Sequence, residues 1–442
     1  RKEGQTAELS RSLHSPQFHT VAGSPNCESL LVHGSRFLFL PTLLRSSRRT
    51  TMAGNSGESK KLKRSHAVDR LSHLPDNVIH HILSFLDTKS LVRTSLLSRK
   101  WRSLWKHVPA LNVLRKSFPN LLSFTKHIGR ILATRYRSIP VSSITFDLCG
   151  DKWPGAVKIF EKIMKYAESH GGGGGLHHLS IVDDEMHFLT RDVINVITAS
   201  RHNESLKTLK FERCCLQCGE FDMDFKLLTT LELQNCILQH NYTVESFDPF
   251  GNLPCLKYLK LIGCGVYCED TGLKISGLEL LGLEIESSNF YGGYEVIAPK
   301  LKALYLRNTN HHPYLPKLNL PALDHANIRL SWHISYGNAA SEEDRAFMNF
   351  LGSLRNVESL QLRFDKARNI IGQEDHFPLN RIKALIKPEA PPFTRLKTLR
   401  LQCVGLKKLP NIHYEVIRYF FEGSLSTEER VVKLELVTQK QT

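Results

Sequence analysis

A chain of 442 residues is too long for one ordinary hydrophobic core, so it either divides into domains or grows by stacking repeats. With 41% hydrophobic and 23% charged residues it has the make-up of a folded soluble chain, and no apolar run approaches the roughly 20 residues that span a bilayer. The net charge of +16 favours acidic partners, but the basic residues are spread out and not interleaved with aromatics, which argues against nucleic acid. Ten cysteines without a secretory signal pattern fit a reducing compartment, nucleus or cytoplasm, rather than a disulfide scaffold.

From Arg1 to Thr51 no helical or strand period is sustained, and the segment is expected to be disordered. Met52 reads as a natural start, with the preceding residues as an upstream extension of the reading frame. Residues 52–70 form a basic linker in which Lys60-Lys61-Leu62-Lys63-Arg64 could serve as a nuclear-import address or simply as solvated linker.

The pattern changes at residues 71–108. Leu74-Pro75-Asp76 places proline where a helix start lacks an acceptor for its N–H, and a carboxylate where the helix dipole favours it. Val78, Ile79, Ile82, Leu83, Phe85 and Leu86 then make a helix apolar around much of its circumference, more than one buried face requires. Asp87-Thr88-Lys89-Ser90 supplies turn and cap residues before a second helix over Leu91 to Leu97, and Ser98 is expected to cap a third carrying Trp101, Leu104 and Trp105. Three short helices in about 40 residues seldom build a sufficient core, so the surplus apolar surface calls for a partner or for the rest of the chain.

Leu74-Pro75, the run from Ile79 through Ile82-Leu83 to Leu86, Leu91, and the ending from Leu97 and Ser98-Arg99-Lys100-Trp101-Arg102-Ser103-Leu104-Trp105 resemble an F-box of the plant kind. The resemblance implies binding to a Skp-family adaptor and, through it, attachment to a cullin–RING ubiquitin ligase. It implies adaptor contacts among Leu74, Pro75, Ile79, Ile82, Leu83, Leu86, Leu91, Leu97, Trp101 and Trp105, some of which must instead be internal core. Ser98 stands where many F-boxes carry cysteine, a departure that the plant relatives share.

Residues 109–140 are expected to be a helical linker or cap, with apolar positions at Leu121, Leu122, Phe124, Ile128, Ile131 and Leu132. Over 141–410 the chain repeats the phrase L-x-x-L-x-L-x-x-C-x-L. Clear copies are Leu206-Leu209-Phe211-Cys214-Leu216, Leu228-Leu231-Leu233-Cys236-Leu238 and Leu256-Leu259-Leu261-Cys264-Val266. Weaker copies open at Val141, Leu176, Leu278, Leu301, Val357 and Leu396, with starts about 22 to about 39 residues apart, near or above the leucine-rich-repeat period. Each x-L-x-L centre predicts a short strand with alternate side chains inward, and stacking then yields a curved parallel sheet.

The outward positions Lys210, Glu232, Lys260, Tyr305, Gln361 and Arg400 are the candidate substrate-binding row. Asn310 to Pro321 and Arg368 to Pro392 read as rim loops, Gly171 to Gly175 as a flexible connector, and 411–442 as a C-terminal cap. The expected fold class is therefore α/β: a three-helix F-box followed by an irregular leucine-rich-repeat solenoid with a curved parallel sheet. The whole layout resembles the plant family of F-box and leucine-rich-repeat proteins.

Catalytic patterns are missing from the sequence. Cys214, Cys215 and Cys218 have no partner pair at zinc-finger spacing, and the adjacent histidines at 80 and 81, 177 and 178, and 311 and 312 point in different directions on any regular element. No nucleophile elbow, dinucleotide fingerprint or metalloprotease pair is present, and no cofactor or metal is expected. Two readings stay open: a ligase receptor for an unknown protein substrate, and a basic repeat scaffold that binds protein or nucleic acid without a ligase role.

Overall fold

The computed structural model describes residues 71, 73–147, 153–170, 175–183, 191–217, 225–239, 247–267, 272–290, 292–308, 315–332, 342–366, 377–386, 393–404, 412–421 and 431–437. The expected disordered extension, the basic cluster at 60–64 and most of the glycine run lie outside them.

Among the described residues the first elements are α1 (Asp76–Ser84), α2 (Thr88–Arg93) and α3 (Trp101–Leu104). Pro75 is the N-cap of α1. Lys100 ties the starts of α1 and α3 together, its Nζ lying 3.1 Å from Asp76 Oδ1 and 2.9 Å from the Leu74 carbonyl. The second helix begins earlier than Leu91 because the Asp87 carboxylate accepts from Lys89 N and Ser90 N at 3.0 and 3.1 Å and fixes the first turn there. Its tail, Thr94–Leu96, tightens to a 3₁₀ turn. The cap position of α3 is Lys100, not Ser98, and it makes no side-chain cap bond.

Among the described residues twelve strands form one sheet in chain order. They are β1 (Ala110–Leu114), β2 (Ser143–Asp147), β3 (His178–Val182), β4 (Thr208–Glu212), β6 (Thr230–Gln234), β8 (Tyr258–Ile262), β11 (Gly282–Glu286), β14 (Ala303–Asn308), β16 (His325–Trp332), β17 (Ser359–Lys366), β18 (Thr398–Val404) and β19 (Val431–Val437). Every neighbouring pair is parallel. Leu209, Leu231, Leu259, Leu283 and Leu304 occupy one register position on successive strands, all essentially inaccessible to water. Alternation turns the intervening side chains to the opposite face.

The layer behind the sheet differs along its length. Toward the ends it is helical: α4 (Leu121–Thr134), α5 (Trp153–Ser169) and α6 (Arg191–Ala199) early, then α7 (Glu342–Ser353), α8 (Pro378–Arg381) and α9 (Tyr414–Phe421) late. In the middle, where repeats are shortest, it is made of short parallel strands. One set is β5 (Cys215–Gln217), β7 (Ile237–Gln239), β9 (Gly265–Tyr267) and β12 (Asn289–Phe290); the other is β10 (Leu273–Ser276), β13 (Tyr294–Ile297) and β15 (Lys317–Asn319).

The turn into the first set repeats residue by residue. Arg213, Asn235, Gly263 and Ser287 all have positive φ, between 48° and 63°. Each is followed by a buried Cys214, Cys236, Cys264 or Ser288. Cys236 Sγ donates to the Phe211 carbonyl at 3.4 Å, Cys264 Sγ to Leu233 at 3.3 Å and Ser288 Oγ to Leu261 at 3.1 Å, so each repeat is bonded to the one before it. This is the structural role of the cysteine in the repeat phrase. Burial pushes the Cys264 thiol up to about 12, which keeps it a protonated donor.

Three expectations need correction. The sheet starts at Ala110, inside the stretch expected to be helical linker, since Leu111 and Val113 point inward as a first strand. The interval Asn310 to Pro321 contains the short strand β15, and Arg368 to Pro392 contains α8 with Phe377, Leu379 and Ile382 fully buried, so neither is simply a rim loop. Strand β16 comes from a copy of the phrase, Leu323, Ala326 and Ile328, in which alanine takes a leucine position.

Candidate functional site

Two surfaces stand out. The first is on the helical module, where the structure sorts the ten predicted adaptor contacts. Ile79, Leu83, Leu91, Trp101 and Trp105 are buried within the chain itself, so they build the module rather than face outward, and Leu74 and Leu86 are half-buried against the same core. Pro75, Ile82 and Leu97 are exposed.

Four large apolar side chains outside that set join them. Val78, Ile82 and Phe85 follow one another at helical spacings of four and three, 39%, 40% and 60% exposed, and Leu96 and Leu97 stand 84% and 60% exposed after α2. Leu71 is exposed before the helix. The two apolar faces of α1 thus have separate fates: Ile79 and Leu83 go inward, Val78, Ile82 and Phe85 outward. Spacing alone gives both faces equal claim, and the packing of α3, the turn Trp105–His107 and β1 against α1 decides between them.

His80 and His81 diverge as their adjacency requires. The His80 ring sits 5.7 Å from that of His107, and burial, then the neighbouring His107, holds its imidazole below the ordinary histidine value. His81 packs edge-on against Phe85 at 4.9 Å.

The second surface is the outward face of the main sheet. Lys210, Glu232, Lys260, Tyr305, Gln361 and Arg400 share a single register row, and the row also contains Asn112, Thr145, Ser180, Glu284, Asn327 and Lys433. Tyr305 is exposed and the other five predicted positions are half-buried. Several are braced sideways: Lys210 lies 3.4 Å from Glu212, Lys260 3.3 Å from Glu284 and Arg400 3.4 Å from Glu435. Asn112 also donates to the Ser84 and Leu86 carbonyls at 2.8 and 3.2 Å, so this end of the row is committed to holding the module on the sheet. Among the described residues no three His, Cys, Asp or Glu side chains converge as metal ligands, and no helix is long and apolar enough to cross a membrane.

Comparison with known proteins puts a family to this arrangement. The F-box domain model matches residues 71–111, the helical module and the start of β1. The F-box/LRR-repeat protein At5g02910 of Arabidopsis thaliana is 28% identical over 302 residues, 67% of this chain and 60% of the relative. The chain carries an F-box domain and is similar beyond it to plant F-box/leucine-rich-repeat proteins. F-box/LRR-repeat protein 13 of Arabidopsis thaliana is 24% identical over 384 residues, 84% of this chain and 78% of the relative. F-box/LRR-repeat protein 25 from the same plant is 29% identical over 252 residues, 55% of this chain and 88% of the relative. In this F-box the exposed stripe lies on α1 and the turn after α2, while the two tryptophans close the core beneath.

Proposed function

We propose that this F-box/leucine-rich-repeat protein is the substrate-recognition subunit of a Skp–cullin–F-box ubiquitin ligase. A Skp-family adaptor covers Pro75, Val78, Ile82, Phe85, Leu96 and Leu97, and a protein substrate docks on the outward face of the main sheet. The observation that carries the reading is the exposed stripe on α1, whose opposite face is already buried. Full burial of such a side chain is worth about 1.5–3 kcal/mol, and completing the burial of these part-covered ones yields a fraction of that each, so several act together as anchors. In this reading no bond is made or broken on the chain. It raises the effective concentration of substrate beside ubiquitin carried by other subunits, in the nucleus or the cytoplasm.

The test is co-expression of the full chain with a Skp-family adaptor and co-purification. The wild type is expected to hold the adaptor, and the double change Ile82→Gln with Phe85→Gln to lose it while remaining folded, because both side chains already face water in part. A folded wild type that does not retain the adaptor overturns the proposal in favour of a repeat scaffold.

A further inference from the structure

The outward face of the sheet is electrically uneven. On strands β14 to β19 its outward positions carry Arg307, Arg329, Arg363, Arg400 and Lys433 against the carboxylates Asp365 and Glu435. Earlier in the array, on β2 to β11, the outward positions of the same sheet carry the cations Lys210 and Lys260 among the carboxylates Asp147, Glu212, Glu232, Glu284 and Glu286.

Three of the arginines lie directly opposite one another on neighbouring strands, Arg307 beside Arg329 and Arg329 beside Arg363. Like charges at this spacing, about 4.8 Å between strands, repel, so the row demands anions. The chain supplies only part of the demand. Glu284 and Glu286 reach Arg307 at 3.6 and 3.1 Å and Glu435 reaches Arg400 at 3.4 Å, while among the described residues Asp365 is shared by Arg329 and Arg363, with its Oδ1 3.0 Å from Arg363 Nε. Among the described residues Arg363 Nη2 finds no hydrogen-bond acceptor, although it is shut off from water. One residue back along the face, Tyr305, Asn327 and Gln361 form a neutral row able to bond peptide amides.

We propose that the face of β14, β16, β17 and β18 docks an extended acidic segment of the substrate protein. Its carboxylates pair with Arg307, Arg329, Arg363 and Arg400, and its backbone amides with Asn327 and Gln361. The proposal rests on the substrate-receptor reading and names the substrate's chemistry. A protein segment fits better than a nucleic acid because the basic strip is narrow. Four strands span roughly 15 Å, and beyond them Glu284 and Glu286 on β11 and Glu435 on β19 would meet a continuous phosphate backbone.

The experiment uses the full chain co-purified with its adaptor and fluorescence anisotropy of a labelled peptide of repeating Glu-Gly-Asp. Its Gln-Gly-Asn counterpart and a single-stranded RNA of equal charge are run beside it. The acidic peptide is expected to bind and the neutral one not to. Arg329→Gln and Arg400→Gln should each weaken binding roughly fivefold or more. Lys317→Gln, the same loss of charge on the separate strand β15, should leave it within about twofold. Absence of peptide binding, equal losses from Lys317→Gln and Arg329→Gln, or tighter binding of the RNA would each overturn the proposal. Adaptor retention is read in the same preparations: a complex that keeps its adaptor but ignores the peptide sinks only the acidic-segment proposal, whereas loss of the adaptor from the wild type sinks the receptor reading beneath it.

Discussion

Helix α1 and strand β8 are both short and both rich in large apolar side chains, yet they distribute them differently. On β8, Leu259 and Leu261 point inward while Tyr258, Lys260 and Ile262 point out, because a strand's period of two leaves no choice once one face is buried. On α1, Ile79 and Leu83 point inward and Val78, Ile82 and Phe85 outward, all of them hydrophobic. In the solenoid, alternation labels the free surface, even where the outward residue is Tyr258 or Ile262. In the helical module the free surface is written in the same letters as the core, as the proposed adaptor contact requires.

That contrast can be pressed from both sides. The largest stability loss is expected from Trp101→Ala, about 3–5 kcal/mol for emptying a buried aromatic site, read as a lower urea midpoint. Phe85→Ala, although also the loss of an aromatic ring, should change stability by no more than about 0.5 kcal/mol. Equal effects of the two would erase the distinction between core and stripe. In the sheet, Leu231→Ala is expected to cost about 2–5 kcal/mol, with neighbouring repeats loosened together. Lys260→Ala on the next strand should cost about 0.5 kcal/mol or less.

Smaller changes sharpen the turn chemistry. Gly263 has φ of +63°, and a Cβ there would press on Asn235 Oδ1, so Gly263→Ala should destabilise by about 1 kcal/mol or somewhat more by the same urea titration. Cys264→Ser should cost less, because Ser288 already fills the equivalent slot and donates to the preceding repeat in the same way.

Acid should weaken the helix-backed part of the array. Burial holds His202 below the ordinary histidine value of 6.5, and its Nδ1 accepts from Leu176 N at 3.3 Å, which suits the neutral ring. Below pH 6.5 the unfolded chain takes up a proton that the folded chain refuses, so stability is full above that pH and declines as pH falls. The urea midpoint should drop between pH 7.5 and pH 5.5, and His202→Gln should flatten that drop. An unchanged slope in the variant would remove His202 from the account.

The clear repeat copies were legible as strands because Leu, Leu and Leu or Phe recur at fixed offsets and nothing else about a strand needs to be known. Strand β1 was hidden since Leu111 and Val113 follow the helical module without a full phrase, and β16 since Ala326 stands where the phrase wants leucine. The Ser288 slot was invisible for a similar reason: serine replaces the cysteine that marked the turn elsewhere. Half of the outward row was missed, including Asn112 and Asn327 with these copies, and Glu284 because the copy expected to open at Leu278 opens at Leu280, with Leu280, Leu283 and Ile285 buried and Leu278 exposed.

Sequence by itself determined the order of parts, a capped helical module followed by stacked strands, because caps, prolines and leucine periods act over a few residues along the chain. It also fixed which strand positions face out, through alternation. Only the tertiary structure decided which apolar residues of the module are core and which are stripe, and which outward charges become neighbours. Both depend on what packs beside an element from elsewhere in the chain: Trp101 against α1 in the first case, and Arg307, Arg329 and Arg363, separated by 22 and 34 positions in sequence but adjacent in register, in the second.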